Sequence, residues 1–87
     1  MKDVLQKTIM PEKIALTIDV RGLLCPVPVQ KTSEAIDTIA RNQILEVIAS
    51  DPTTLVDIPA WATKENQRLL ETVDDWLTIK FYIQKTG

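Results

Sequence analysis

The stretch Ile14-Ala15-Leu16-Thr17-Ile18-Asp19-Val20-Arg21-Gly22-Leu23-Leu24-Cys25-Pro26-Val27-Pro28 decides how the rest of the chain is read. Its first half alternates. Ile14, Leu16, Ile18 and Val20 share one face, and Ala15, Thr17 and Asp19 the other, which is the period of a half-buried strand. Gly22 supplies permissive backbone for a turn. From Pro26 a helical pattern continues to about Ala40, with Val29, Ile36, Ile39 and Ala40 on one side and Thr32 between them. A strand therefore hands over to a helix at Cys25, the one cysteine of the chain.

Working outward, residues 1–12 show no sustained period and read as an N-terminal tail, with Val4, Leu5, Ile9 and Met10 as a loosely docked patch. Residues 13–87 read as a single domain. Asn42 suits a left-handed cap after the first helix. Ile44 to Ser50 is a second strand, with Leu45, Val47 and Ala49 opposite Ile44, Glu46 and Ile48. Asp51 is expected to cap a turn begun by Pro52. Asp57 is expected to cap a second helix over about Ile58 to Glu65, with Pro59 in its first turn and Asn66 closing it. Trp61 on that helix reads as core covering the sheet, the alternative being a partly exposed indole that anchors a partner. Arg68 to Val73 and Trp76 to Lys85 read as two strands joined by a two-residue Asp74-Asp75 turn. The order β-α-β-α-β-β predicts an α/β (α+β) two-layer sandwich, a four-stranded mixed sheet with both helices on one face.

Position leaves two readings of Cys25. If it is the helix N-cap, with Pro26 and Pro28 in the first turn, the amides of Val27 and Val29 lie near its sulfur. The partial positive charge of the helix end would then lower a thiol pKa that is ordinarily near ~8.5. Arg21, across the Gly22 turn, would add positive charge. Otherwise Cys25 is a small apolar core residue. Arg21 and Lys31 are either solvated charges or a means of steering an acidic partner surface. Asp51, on a loop after a strand, is either a cap or part of a docking rim.

Arg21-Gly22-Leu23-Leu24-Cys25-Pro26-Val27-Pro28 resembles the signature (R/L)-G-L-x-C-P-x-P of the TusA-like, or SirA-like, sulfur-carrier family. The resemblance continues at Ser50-Asp51-Pro52 and at Asp57-Ile58-Pro59-Ala60-Trp61, and closes with Phe81-Tyr82-Ile83-Gln84-Lys85. It covers about residues 14 to 85. It implies that Cys25 carries sulfur as a persulfide on a helix start shaped by Gly22, Pro26 and Pro28. It also implies a cysteine desulfurase or rhodanese-like donor and a downstream sulfur-acceptor protein. The relay would serve tRNA thiolation, molybdenum-cofactor maturation or sulfur oxidation. A stand-alone small sulfurtransferase and a non-catalytic regulatory or interaction module are the alternatives.

Composition narrows the chemistry further. A net charge of −2 gives no support for direct nucleic-acid binding, which needs a basic face. No apolar run approaches membrane-spanning length, and charges interrupt the N-terminal segment, so no membrane association is expected. A single cysteine cannot form an intrachain disulfide, which suits a cytoplasmic protein. The chain has no histidine, so Cys–His chemistry would lack its usual proton acceptor. No metal-ligand cluster and no phosphate-binding glycine loop is present, and no cofactor is expected. Whatever Cys25 carries, another protein's thiolate must load or remove it.

Overall fold

The computed structural model describes residues 13–86. Six elements follow in order: β1 (Ile14–Asp19), α1 (Val27–Ile36), β2 (Ile44–Ala49), α2 (Thr54–Lys64), β3 (Arg68–Asp74) and β4 (Ile79–Gln84). The four strands form one mixed sheet in the order β1-β2-β4-β3. β1 and β2 are parallel, and β4 runs antiparallel to both β2 and β3. β2 and β3 are thus parallel to each other with β4 inserted between them. Parallel strands need a crossover, and the two helices provide one each. Three chain segments consequently meet beyond the same end of the sheet: the β1–α1 loop, the β2–α2 loop and the β3–β4 hairpin tip.

Both helices cover one face. Leu45, Val47 and Ala49 of β2 and Phe81 and Ile83 of β4 are fully buried there, against Ile36 and Ile39 from the first helical segment and Ile58, Trp61 and Ala62 of α2. The opposite face is mixed, with Ile44 and Ile48 beside Glu46, Tyr82 and Lys80. Glu46 accepts hydrogen bonds there from the Thr17 hydroxyl (2.8 Å) and the Tyr82 hydroxyl (2.7 Å). The expected α+β two-layer sandwich is the observed one.

Three boundaries differ from the sequence reading by more than one residue. α1 ends at Ile36 rather than Ala40. The amide and the hydroxyl of Thr38 both donate to the Ala35 carbonyl, at 3.0 and 2.7 Å, which tightens the last turn and stops the helix. Ile39 is buried all the same.

α2 begins at Thr54, four residues before the expected start, and Pro59 lies inside it. Asp51 starts the helix: its carboxylate accepts the Thr53 amide at 3.0 Å, and its carbonyl accepts the amide and hydroxyl of Thr54. Asp57 is therefore a first-turn residue and not the cap. An interior proline costs about 3 kcal/mol. Burying Ile58 alone returns about 2 kcal/mol, and Trp61 and Ala62 are buried as well. Packing wins over the local break.

The hairpin is longer than two residues, with β4 starting at Ile79 rather than Trp76. Asp-Asp lacks the glycine that a tight two-residue turn favours. The positive φ falls instead on Trp76, at 84°. Asp74 accepts the Trp76 amide at 3.2 Å and the Asp75 carboxylate accepts the amide and hydroxyl of Thr78, so two side chains hold the tip in this shape. The expected left-handed turns at Asn42 (φ 73°) and Asn66 (φ 58°) are both present. The N-terminal patch at Val4, Leu5, Ile9 and Met10 lies outside the described residues.

Candidate functional site

The β1–α1 loop is anchored from β2 outward. The Val20 amide donates to the Ile48 carbonyl at 2.8 Å, extending the parallel ladder by one residue. The chain turns at Gly22, whose φ of 81° is the conformation that requires glycine. The Gly22 amide donates to the Ser50 hydroxyl at 2.8 Å, and the Cys25 amide donates to a carboxylate oxygen of Asp51 at 3.0 Å. Ser50 and Asp51 thus hold the loop at two points. Asp51 also starts α2, so one side chain fixes the thiol loop and the neighbouring helix together.

Cys25 is exposed and free. It is not the N-cap of α1: Pro26 occupies that position, after a cis peptide bond, and its carbonyl accepts the Gln30 amide at 3.0 Å. The Val27 amide is used by the Leu24 carbonyl at 2.9 Å rather than by the sulfur. The expected capping of the helix by Cys25, with the Val27 amide turned to its sulfur, is therefore not formed.

The sulfur has a different neighbour. Cys25 Sγ donates to Asp57 Oδ2 at 2.8 Å. That hydrogen bond, with some desolvation and the charges of Asp57 and Asp51, pushes the thiol pKa up from its ordinary value. This shift runs opposite to the expected one, and its largest cause is the carboxylate beside the sulfur.

Arg21 does not compensate. Its guanidinium makes two hydrogen bonds to Asp19, at 2.7 and 2.9 Å, and holds that carboxyl down at about 2. Lys31 lies on α1 and lines a groove between β1 and α1 with Leu16, Ile18, Leu23 and Glu34. Of the residues singled out in the sequence, the structure gathers Gly22, Cys25, Pro26 and Asp51, with Pro28 buried in the first turn of α1. Arg21 is engaged by Asp19 and Lys31 lines the groove between β1 and α1.

Sequence reasoning missed the role of Asp57, which it assigned as a cap. The position of Asp57 within Asp57-Ile58-Pro59-Ala60-Trp61 was the available signal, since that run accompanies the cysteine motif in the resemblance. Sequence reasoning also missed the apolar flanks. Leu24, next to Cys25, is 71 % exposed, and Val56, next to Asp57, is 70 % exposed. Among the described residues no group of three or more His, Cys, Asp or Glu side chains is arranged to hold a metal ion, and no helix is long and apolar enough to cross a membrane.

A two-layer α+β sandwich presenting one exposed thiol on a loop pinned by carboxylates defines a small thiol protein. The chain belongs to the family described as Sulfurtransferase TusA, whose model matches residues 16–85. It is 40% identical over 68 residues to "Putative sulfur carrier protein YrkI" of Bacillus subtilis, covering 78% of this chain and 91% of that protein. It is 30% identical over 69 residues to "Sulfur carrier protein TusA" of Allochromatium vinosum, covering 79% and 91%. Its fold is similar to the crystal structure of a SirA-like protein from Desulfitobacterium hafniense. The TM-score is 0.71 at 20% identity, over 83% of this chain and 99% of that one.

Proposed function

We propose that residues 13–87 act as one cytoplasmic sulfur carrier, in which Cys25 accepts sulfane sulfur as a persulfide and passes it to another protein. The observation that carries this reading is the exposure of the sole thiol on a loop tethered to Ser50 and Asp51. The donor is a cysteine desulfurase or a rhodanese-like protein. The acceptor is a downstream relay protein serving tRNA thiolation, molybdenum-cofactor maturation or sulfur oxidation. Gly22, Pro26 and Pro28 shape the loop and the helix start.

The transfer parallels thiol–disulfide exchange. The Cys25 thiolate attacks the outer sulfur of the donor persulfide, and the donor leaves as a thiolate. A carrier is favoured over a turnover enzyme because the chain has no histidine to act as a base and no second thiol, so another protein's thiolate must load or remove the sulfur.

Incubation with a cysteine desulfurase and cysteine, followed by intact-protein mass spectrometry, tests the reading. One added sulfur atom is expected on the wild type and none on Cys25→Ser. Absence of the adduct with both a desulfurase and a persulfidated rhodanese overturns it.

A further inference from the structure

We propose that the Asp57 carboxylate is a latch on the Cys25 thiol, and that a lysine or arginine on the docking surface of the relay partner opens it by pairing with that carboxylate. The inference rests on the carrier reading and adds what the partner must bring.

Three observations carry it. The first is the Sγ–H···Oδ2 contact of 2.8 Å, which gives the thiol proton an acceptor that also opposes ionisation of the sulfur. Among the described residues, Cys25 is the only hydrogen-bond partner of that carboxylate.

The second is the charge around it. Asp51, from the β2–α2 loop, adds a second carboxylate, bonded to the Cys25 and Thr53 amides. The cations of the neighbouring elements are placed elsewhere. Arg21 is bound to Asp19, Lys31 lines the groove between β1 and α1, and Lys64 lies in the last turn of α2, at the opposite end from Asp57. The charges that act on the sulfur are those of Asp57 and Asp51, both negative, which suits a basic partner surface.

The third is the pair of exposed apolar neighbours, Leu24 beside Cys25 and Val56 beside Asp57. Covering them excludes water, and a drier surrounding strengthens the ion pair that displaces the thiol from the carboxylate. The occupant fitted by this arrangement is a protein surface with a cation set among apolar side chains.

The step balances without an oxidant. With Asp57 paired to the cation, the thiol proton passes to solvent. The Cys25 sulfur then forms a bond to the outer sulfur of a donor persulfide, the donor's S–S bond breaks, and the departing donor thiolate takes up a proton. One thiol and one persulfide are consumed, and one of each is produced.

The test uses alkylation by iodoacetamide across pH, which needs no sulfur donor. Failure of the latch is thereby separate from failure of persulfide transfer in the mass-spectrometric experiment. Asp57→Asn is expected to move the alkylation midpoint down and Asp57→Glu to keep it near the wild type, both with unchanged circular dichroism. Each unit of downward movement raises the neutral-pH rate about three- to tenfold, the lower figure allowing for the weaker nucleophilicity of a less basic thiolate.

A hexa-arginine peptide at low salt is expected to accelerate alkylation of the wild type and not of Asp57→Asn. Hexa-glutamate is expected to have no effect, and salt at about 0.5 M to remove the acceleration. The wild-type peptide experiment stands without any variant. The proposal is overturned if the Asp57→Asn profile superimposes on the wild type. It is equally overturned if hexa-arginine leaves the wild type unchanged, or accelerates Asp57→Asn to the same extent.

Discussion

Replacing Gly22 by alanine isolates the backbone cost of presenting the thiol loop. Gly22 adopts φ 81°, and a Cβ built there meets no atom within 4 Å. No clash therefore enters, and the penalty is that of an L-residue held at positive φ, about 1–2 kcal/mol. The Gly22 amide still reaches the Ser50 hydroxyl, because the substitution removes no donor. With a urea m-value of about 1 kcal/mol/M for a small domain, the unfolding midpoint should fall by roughly 1–2 M. Gly22→Asn should recover most of that loss, because asparagine tolerates the left-handed region. Gly22→Val should cost more than alanine, because a β-branched side chain resists it. Urea unfolding followed by circular dichroism gives the ranking Gly, Asn, Ala, Val. An alanine variant as stable as the wild type, or an asparagine variant no better than alanine, refutes the conformational argument.

The converse holds at Trp76, which has φ 84° and is 92 % exposed. Trp76→Gly should raise the melting temperature, by the few degrees that about 0.5–1 kcal/mol gives, whereas Trp76→Ala keeps the strain and should not. Phe81 is fully buried at the centre of the sheet. Phe81→Ala should cost about 3–5 kcal/mol, enough to lower the thermal midpoint by more than any loop substitution. Tyr82, the only tyrosine, is pushed up to about 12 by burial first and then by its hydrogen bond to Glu46. Its raised value stabilises the fold at pH below its ordinary 10.0, and that contribution is lost as pH rises from there to about 12. Absorbance titration of the tyrosinate should show the high midpoint, and Glu46→Gln should lower it.

What the sequence revealed was what short-range pattern controls. Ile79, Phe81 and Ile83 alternate with Lys80, Tyr82 and Gln84, and the structure buries the first set. Asn42 and Asn66 were legible as left-handed turns because the preference lies in the residue itself. The start of α2 was not, because Pro59 is a strong local stop and the burial that overrides it comes from strands distant in sequence. The hairpin tip was misjudged for a related reason. Asp74 and Asp75 do turn the chain, but as hydrogen-bond acceptors for Trp76 and Thr78 rather than as the turn residues themselves. Least legible was the contact between Cys25 and Asp57. The two are 32 residues apart and meet because β1 and β2 lie parallel, so that the loops leaving their carboxyl ends face one another.

That contact changes what the cysteine motif means physically. A helix-capping thiol would be ionised and reactive toward any electrophile that reached it. With no second thiol in the chain to rescue an oxidised Cys25, such a site would be vulnerable between partners. A thiol hydrogen-bonded to Asp57, and near Asp51, is harder to ionise while remaining at the surface. Exposure and reactivity are set by different parts of the fold. The loop turned at Gly22 provides access, and a carboxylate in the first turn of α2 provides restraint. A protein that hands sulfur from one partner to another needs both, since access allows each partner to reach the sulfur and restraint opposes ionisation of the unloaded thiol between partners.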